Sequence, residues 1–352
     1  MTRIAVTADV HLRSRGEHPE RFNALRDVME KTHSLGIGAL IIAGDLFDKN
    51  FQSYSEFEAL CREFPDLHLY IIPGNHDPGL QGRHIVSSNA TIYSKPSSVE
   101  LGSRPFLFLP YTDGKTMGEV IADMGWKPST EPWALVGHGD FLGGTREPNP
   151  LEPGVYMPLL RADLQRFQPR VVLLGHIHDP PSHPTVHYPG SPCSLNISET
   201  GRRSFLVVDT EGWDVSSHPI DTDVLFFRET LVLVPHEQEA PRLRATVRER
   251  IRAWGISPSE RDKVRIRVEA SGYVRDRSAV AAVLEEEFSD FTFHKDEGPN
   301  YDRLSVSVDI QLNAIAEKVR ASIQELEFSF GGDEPTEEDA LHCALELIYS
   351  ER

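Results

Sequence analysis

"VVLLGHIHDPP", residues 171–181, places two histidines one residue apart directly after four apolar residues and a glycine. A chain does not need such a pair in order to fold. The apolar run reads as a buried strand, and its end carries His176 and His178 out past the carboxyl terminus of that strand. In extended backbone, residues i and i+2 point the same way, so both imidazoles can serve one place.

Four other apolar runs end in the same manner. "RIAVTADVH" ends in Asp9 and His11, "ALIIAGD" in Asp45, "LHLYIIPGNHD" in Asn75, His76 and Asp77, and "WALVGHGD" in His138. In open α/β sheets, loops from neighbouring strands converge at the carboxyl ends, where ligands gather. A mixture of imidazole and carboxylate suits a borderline divalent ion such as Mn²⁺, Fe²⁺ or Zn²⁺, and the lack of a nearby cysteine disfavours a structural thiolate site. Taken singly, each piece has a plain structural reading; Gly-Asn, for one, favours tight turns. Five such pieces at strand ends point to a binuclear metal centre. A carboxylate can bridge two ions, and two ions about 3.5–4 Å apart clamp an in-line displacement at phosphorus.

The 352 residues suffice for one large domain and a smaller one, and 39% hydrophobic with 26% charged residues is a soluble globular composition. No apolar run approaches the roughly 18 residues of a spanning helix. The N-terminus reads as a first strand rather than a signal peptide. Three scattered cysteines, Cys61, Cys193 and Cys343, argue for a reducing, cytoplasmic setting without disulfides. A net charge of −18 argues against a general nucleic-acid-coating protein. The charge is uneven, however. Residues 225–310 carry 14 Lys+Arg against 16 Asp+Glu, whereas 311–352 carry 3 against 10, so the acidity lies outside an arginine-rich middle segment.

Strand and helix alternate through the first 200 residues. "PERFNALRDVMEKTHSLG" (19–36) has Phe22, Leu25, Val28 and Met29 at helical spacing with Gly36 as a stop. This alternation argues a layered α/β core, which "SFLVVDTEGWDVSSHPI" (204–220) closes as a hairpin. Beyond residue 222 the pattern restarts as β-α-β-α-β, with strands over 228–235, 262–270 and 303–310 and helices over 240–255 and 276–288. Two further helices follow over 312–327 and 336–350, the second capped by Thr336 with Asp339, and "FGGDEP" (330–335) forms a joint between them. The expected domains are therefore 1–222, a small α/β domain over 223–310, and a helical segment over 311–352.

The order D-x-H, G-D, G-N-H-D, G-H, G-H-x-H over residues 1 to about 215 resembles the calcineurin-like metallophosphoesterase superfamily. "IIAGDLFDKN", "GHIHDP" and "YPGSPCSLN" (188–196) resemble most closely the SbcD-type nucleases of DNA double-strand-break repair. The resemblance implies a layered α/β/β/α sandwich with a smaller C-terminal α/β capping domain and C-terminal helices. It implies a Mn²⁺-dependent exo- or endonuclease, with Fe²⁺, Zn²⁺ or Mg²⁺ as other candidate ions. One ion would be held by Asp9, His11, Asp45 and His178, and the other by Asp45, Asn75, His138 and His176. His76 would protonate the leaving oxygen, with Asp77 orienting it. Implied partners are DNA, an SMC-like ATPase and a second copy of the chain. A phosphoprotein phosphatase would instead carry "GNHE" and an arginine-bearing "GDxVDRG". Two departures stand out: the spacing of 62 residues from His76 to His138 is short, and "LNISETG" replaces an "FGE"-like run.

Arg242, Arg244 and Arg248 lie on one expected helix, and Arg265 and Arg267 share a face of the next strand. Guanidinium matches phosphate bidentately, which makes these five candidates for DNA-backbone contact; a helix face paired with acids is the plainer alternative. A small-molecule phosphodiesterase of the cyclic-nucleotide type, a protein phosphatase and a non-catalytic metal-bound scaffold are the rival readings.

Overall fold

A computed structural model of the chain describes residues 2–49, 54–127, 131–142, 154–178, 183–326 and 336–350. Chain contacts divide it into two units: residues 1–195 with 202–223, and residues 196–201 with 224–352.

Two large sheets and the short parallel pair Phe141–Leu142 with Leu159–Leu160 form the strands of the first unit. In one, the strands Arg3–Thr7, Ala39–Ala43, His68–Ile72 and Ala90–Ile92 run parallel in that order. The hairpin Ser204–Asp209 and Val215–Pro219 joins antiparallel beside Arg3–Thr7. In the other, Arg104–Leu109, Ala134–His138, Val171–Gly175 and Val186–His187 run parallel, with Ser97–Leu101 as an antiparallel edge. The hydrophobic run of each strand is split between two cores, because alternate side chains face opposite ways. Ile4, Val6, Ile41 and Ala43 meet Phe106, Phe108, Val136 and Leu173 between the sheets. The intervening Ala5, Leu40, Ile42 and Ile71 face Phe22, Leu25, Val28, Met29 and Phe57 from helices on the outer side. Leu107, Leu135, Val172 and Leu174 do the same for the second sheet, against Met117, Val120 and Ile121. The layers are therefore α/β/β/α, with parallel strands that read as unbroken apolar runs. Phe106 and Phe108 are fully buried, and each contributes about 3–5 kcal/mol relative to alanine.

The first helix, Pro19–Ser34, shows how local sequence sets an element. Pro19 stands at its first turn with Glu20, Lys31 and His33 lie in its last, and Gly36 beyond it takes φ +69°. Glycine adopts that left-handed conformation without the Cβ clash other residues meet.

The second unit is a parallel sheet of Leu225–Leu233, Val264–Val274, Thr292–Phe293 and Asn300–Val306. Helices Glu239–Ala253 and Arg277–Glu287 bury Leu243, Val247, Val280 and Leu284 on one face with Val264, Ile266 and Val268. Helices Ile310–Gln324 and Glu337–Ser350 share a separate cluster with Val232, Val234 and Tyr273. The strand expected over 303–310 ends at Val306. Asp309 accepts from the amides of Gln311 and Leu312 and so starts a helix where apolar alternation suggested more strand. Thr336 and Asp339 do form the reciprocal cap, with each side chain taking the other's amide at 2.9 and 3.2 Å. The joint "FGGDEP" lies outside the described residues. Among those described, no helix is long and apolar enough to cross a membrane.

Candidate metal centre

The carboxyl ends of parallel strands from both sheets converge on one place. Backbone bonds lace the loops beyond them: Asp9 N to Gly44 O at 3.1 Å, His11 N to Asp45 O at 2.9 Å, and Gly139 N to Gly175 O at 3.1 Å. So close an approach leaves no room for side chains. A Cβ on Gly175 would stand 2.1 Å from the Ala43 carbonyl and 2.7 Å from His138 Nδ1. Gly175→Ala is therefore expected to lower stability by about 1–3 kcal/mol, read as a lower urea midpoint. An unchanged midpoint would show that the sheets can part there.

Asp9, His11, Asp45 and His176 take positive φ of 54°, 49°, 52° and 102°. Left-handed backbone at four non-glycine residues is costly, and such strain collects where function requires a particular side-chain direction. All four are buried, as is His138, while Asn75, His76 and His178 are half-buried. Three donor groups result among the described residues, and His11, Asp48 and His76 form one of them. Asp9, His11 and His178 form the second, and Asp9, Asp45 and His138 the third, each with its ligand atoms within 4.8 Å of one another. His11 Nε2 lies 3.2 Å from His178 Nε2 and 3.7 Å from Asp45 Oδ2. His138 Nε2 lies 3.3 Å from Asp45 Oδ2 and 2.8 Å from Asn75 Oδ1. Donors that share an ion at about 2.1 Å stand about 3–3.5 Å apart, so these separations suit coordination. His176 is held near by its amide, which donates to Asp9 Oδ1 at 2.9 Å, and its Nε2 lies 3.8 Å from Asp140.

The hydrogen-bond chemistry also asks for positive charge here. His138 Nδ1 donates to the Ala43 carbonyl at 2.9 Å, which leaves Nε2 as the lone-pair nitrogen facing two oxygen acceptors. A cation resolves that conflict. Without a metal the proton does so: burial alone would lower the His138 pKa, but Asp45 and Asp9 raise it to about 10. Burial pushes His11 down to about 3 against the pull of Asp45, so this imidazole stays neutral, as a metal ligand must. Burial raises the Asp9 carboxyl. At Asp45 the effect of burial is overturned by His138 and His11, which hold it well below the carboxylate range.

His76 stands beside this cluster, its ring 4.5 Å from that of His11 and edge-on. Its amide donates to Asp45 Oδ1 at 2.8 Å. The carboxylate at its Nδ1 is Asp48, at 2.9 Å, and not the expected Asp77. Asp77 instead accepts from the amides of Gly74 (2.7 Å) and Phe47 (3.0 Å), bracing the turn on which His76 rides. Burial and the charge of Asp45 push its carboxyl up. Asp48 also accepts from Arg13 Nε at 2.6 Å and lies 3.4 Å from Arg21 Nη1. Burial would raise its pKa; the bonds from His76 and Arg13 lower it instead. Buried Arg203 donates to the His178 carbonyl and to Ser191 O. Neither Asp48 nor Arg203 stands out in the sequence, although Asp48 follows Asp45 by three residues within "GDLFD".

The calcineurin-like phosphoesterase family model matches residues 2–180. The chain belongs to this family. It is 27% identical over 217 residues to the uncharacterized metallophosphoesterase YhaO of Bacillus subtilis (strain 168), across 55% of this chain and 51% of the relative. The chain thus spans about half the length of that curated relative. Among solved structures, it is similar to a novel archaeal phosphodiesterase at 16% identity and TM-score 0.34, over 62% of this chain and 99% of that one. It is also similar to Pseudomonas putida nuclease MPE at 19% identity and TM-score 0.25, over 40% and 64%.

Four of the five candidate arginines meet carboxylates within the second unit. Arg244 and Arg248 both bond Glu287, at 2.5 and 2.6 Å, and Arg244 also reaches Glu286. Arg242 pairs with Glu317 and Arg267 with Glu297, each at 3.3 Å. Arg265 donates to the carbonyls of Asp262 and Val264. These five do not form an uncompensated basic face. The acidic partners of Arg242, Arg244 and Arg248 lie on other helices, so their own helix does not reveal the pairing.

Proposed function

We propose that the protein is a Mn²⁺-dependent nuclease that hydrolyses DNA phosphodiesters in double-strand-break repair. One observation carries the reading: a histidine–carboxylate pair, His76 with Asp48, stands against a buried Asp/His donor cluster. That pairing supplies a proton donor where a departing sugar oxygen needs one. Asp9, His11, Asp45 and His178 would hold one ion, and Asp45, Asn75, His138 and His176 the other. When bound, the pair supplies Lewis-acid charge at the phosphoryl oxygens and lowers the pKa of water. Asp45 balances that charge, His11 and His178 direct lone pairs inward, and His76 delivers its proton from the flank. Asp48 holds the His76 ring by its Nδ1 proton, so Nε2 is the nitrogen that would carry the transferred proton. An SMC-like ATPase partner and a homodimer belong to the same reading; sedimentation of the chain alone and with such an ATPase tests both.

The ion-paired arginines favour a second reading, in which the substrate is a small phosphodiester. The deciding assay presents end-labelled linear duplex DNA and bis-p-nitrophenyl phosphate with Mn²⁺. Degradation of the DNA, lost in Asp45→Ala, is the expected result. Turnover of the small diester beside intact DNA would replace the nuclease reading with the second one.

A further inference from the structure

Two tyrosines flank the centre without a part in the chemistry described so far. Tyr156 packs its ring against that of His176, centroids 4.7 Å apart and planes at 44°, and Tyr111 stands beside Tyr156 at 6.3 Å. Both are half-buried, and Tyr156 belongs to none of the apolar clusters of the described residues. Each is fixed by its backbone to a part of the site. The Tyr111 amide donates to Pro73 O at 3.0 Å, next to the Gly74–Asn75–His76 turn. The Tyr156 amide donates at 2.7 Å to Asp140, the carboxylate that also approaches His176. Burial, then the charge of Asp113, with smaller contributions from Tyr156 and Asp45, push the Tyr111 phenol up to about 12. The pair is therefore an aromatic surface beside His176.

We propose that Tyr111 and Tyr156 form a shelf on which the base of a nucleotide diester stacks, so that the centre selects nucleoside-bearing diesters over simple alkyl ones. This rests on the phosphodiester-cleaving reading above and names its substrate class. A base lies one sugar away from its phosphate, and the shelf begins one ring away from His176. Stacking accepts any base, because every base has a π-face and no base edge is read. That suits a site whose neighbouring charged groups are already bonded to one another.

The test has two arms on the Mn²⁺-loaded full chain. Calorimetry compares thymidine 5′-monophosphate with inorganic phosphate. Kinetics compares thymidine 5′-(p-nitrophenyl) phosphate with methyl p-nitrophenyl phosphate, which share a leaving group. The wild type is expected to bind the nucleotide about tenfold more tightly than phosphate, and to show a matching preference in kcat/KM. Tyr156→Ala and Tyr156→Leu should remove most of that preference, whereas Tyr156→Phe should keep it. Equal wild-type affinity for nucleotide and phosphate, or a preference that survives Tyr156→Leu, overturns the shelf. A binding preference that follows the ring while neither ester is cleaved upholds the shelf and removes the phosphodiesterase reading.

Discussion

Asp45→Asn is expected to strip both metal ions from the chain together and to lower turnover by at least about a thousandfold. Asp45 Oδ2 lies 3.7 Å from His11 Nε2 and 3.3 Å from His138 Nε2, so one oxygen faces both histidines. Its other oxygen accepts the His76 amide at 2.8 Å, a bond that asparagine can keep through its own carbonyl. The substitution therefore removes charge with little change of shape. The check is metal content per chain after dialysis against dilute Mn²⁺, beside turnover of a diester. Asp9 provides the contrast, since it belongs to the groups of His11 with His178 and of Asp45 with His138. Its carboxylate already takes the His176 amide on both oxygens, at 2.9 and 3.1 Å, and is the less available of the two. Retention of one ion per chain in Asp45→Asn, with loss of both in Asp9→Asn, would reassign the bridge to Asp9.

Much of this centre was legible because its parts lie at strand ends. Apolar runs mark the strands, and the polar side chain that follows each run has to project beyond the sheet, whichever sheet it is. That logic places Asp9, His11, Asp45, Asn75, His138, His176 and His178 together without knowledge of how the layers stack. It fails where a contact joins two loops. The sequence neighbour of His76 is Asp77, yet chain direction through the turn sends that carboxylate to the amides of Gly74 and Phe47. The partner comes from the loop after Ala43, where Asp48 is also held by Arg13 and Arg21. The arginine helix shows the same dependence on distant partners. Pairing with acids is one of its two readings, and Glu286 and Glu287 meet Arg244 and Arg248 from a helix about 40 residues further on. Strand ends are set by local pattern; loop-to-loop and helix-to-helix pairing is set by tertiary packing.

The Asp48 contact makes a prediction that Asp77 would not. A carboxylate on Nδ1 favours the protonated imidazole, so Asp48→Asn should lower the pKa of His76 and move the upper limb of the rate–pH profile to lower pH. Turnover of DNA at neutral pH should fall about 10–100-fold, short of the roughly thousandfold loss expected for His76→Ala. Both losses should be smaller on bis-p-nitrophenyl phosphate, because p-nitrophenolate leaves without a proton whereas a sugar oxygen does not. Metal content should be retained in both variants if His76 acts as the proton donor; loss of metal would instead make the group of His11, Asp48 and His76 an ion site. Asp77→Asn, by contrast, would loosen the turn through two amide bonds and lower thermal stability without moving the limb. Were Asp48→Asn to depress rates equally on both substrates with the limb in place, Asp48 would be a brace for Arg13 and Arg21. The proton would then have to reach the leaving oxygen by another route.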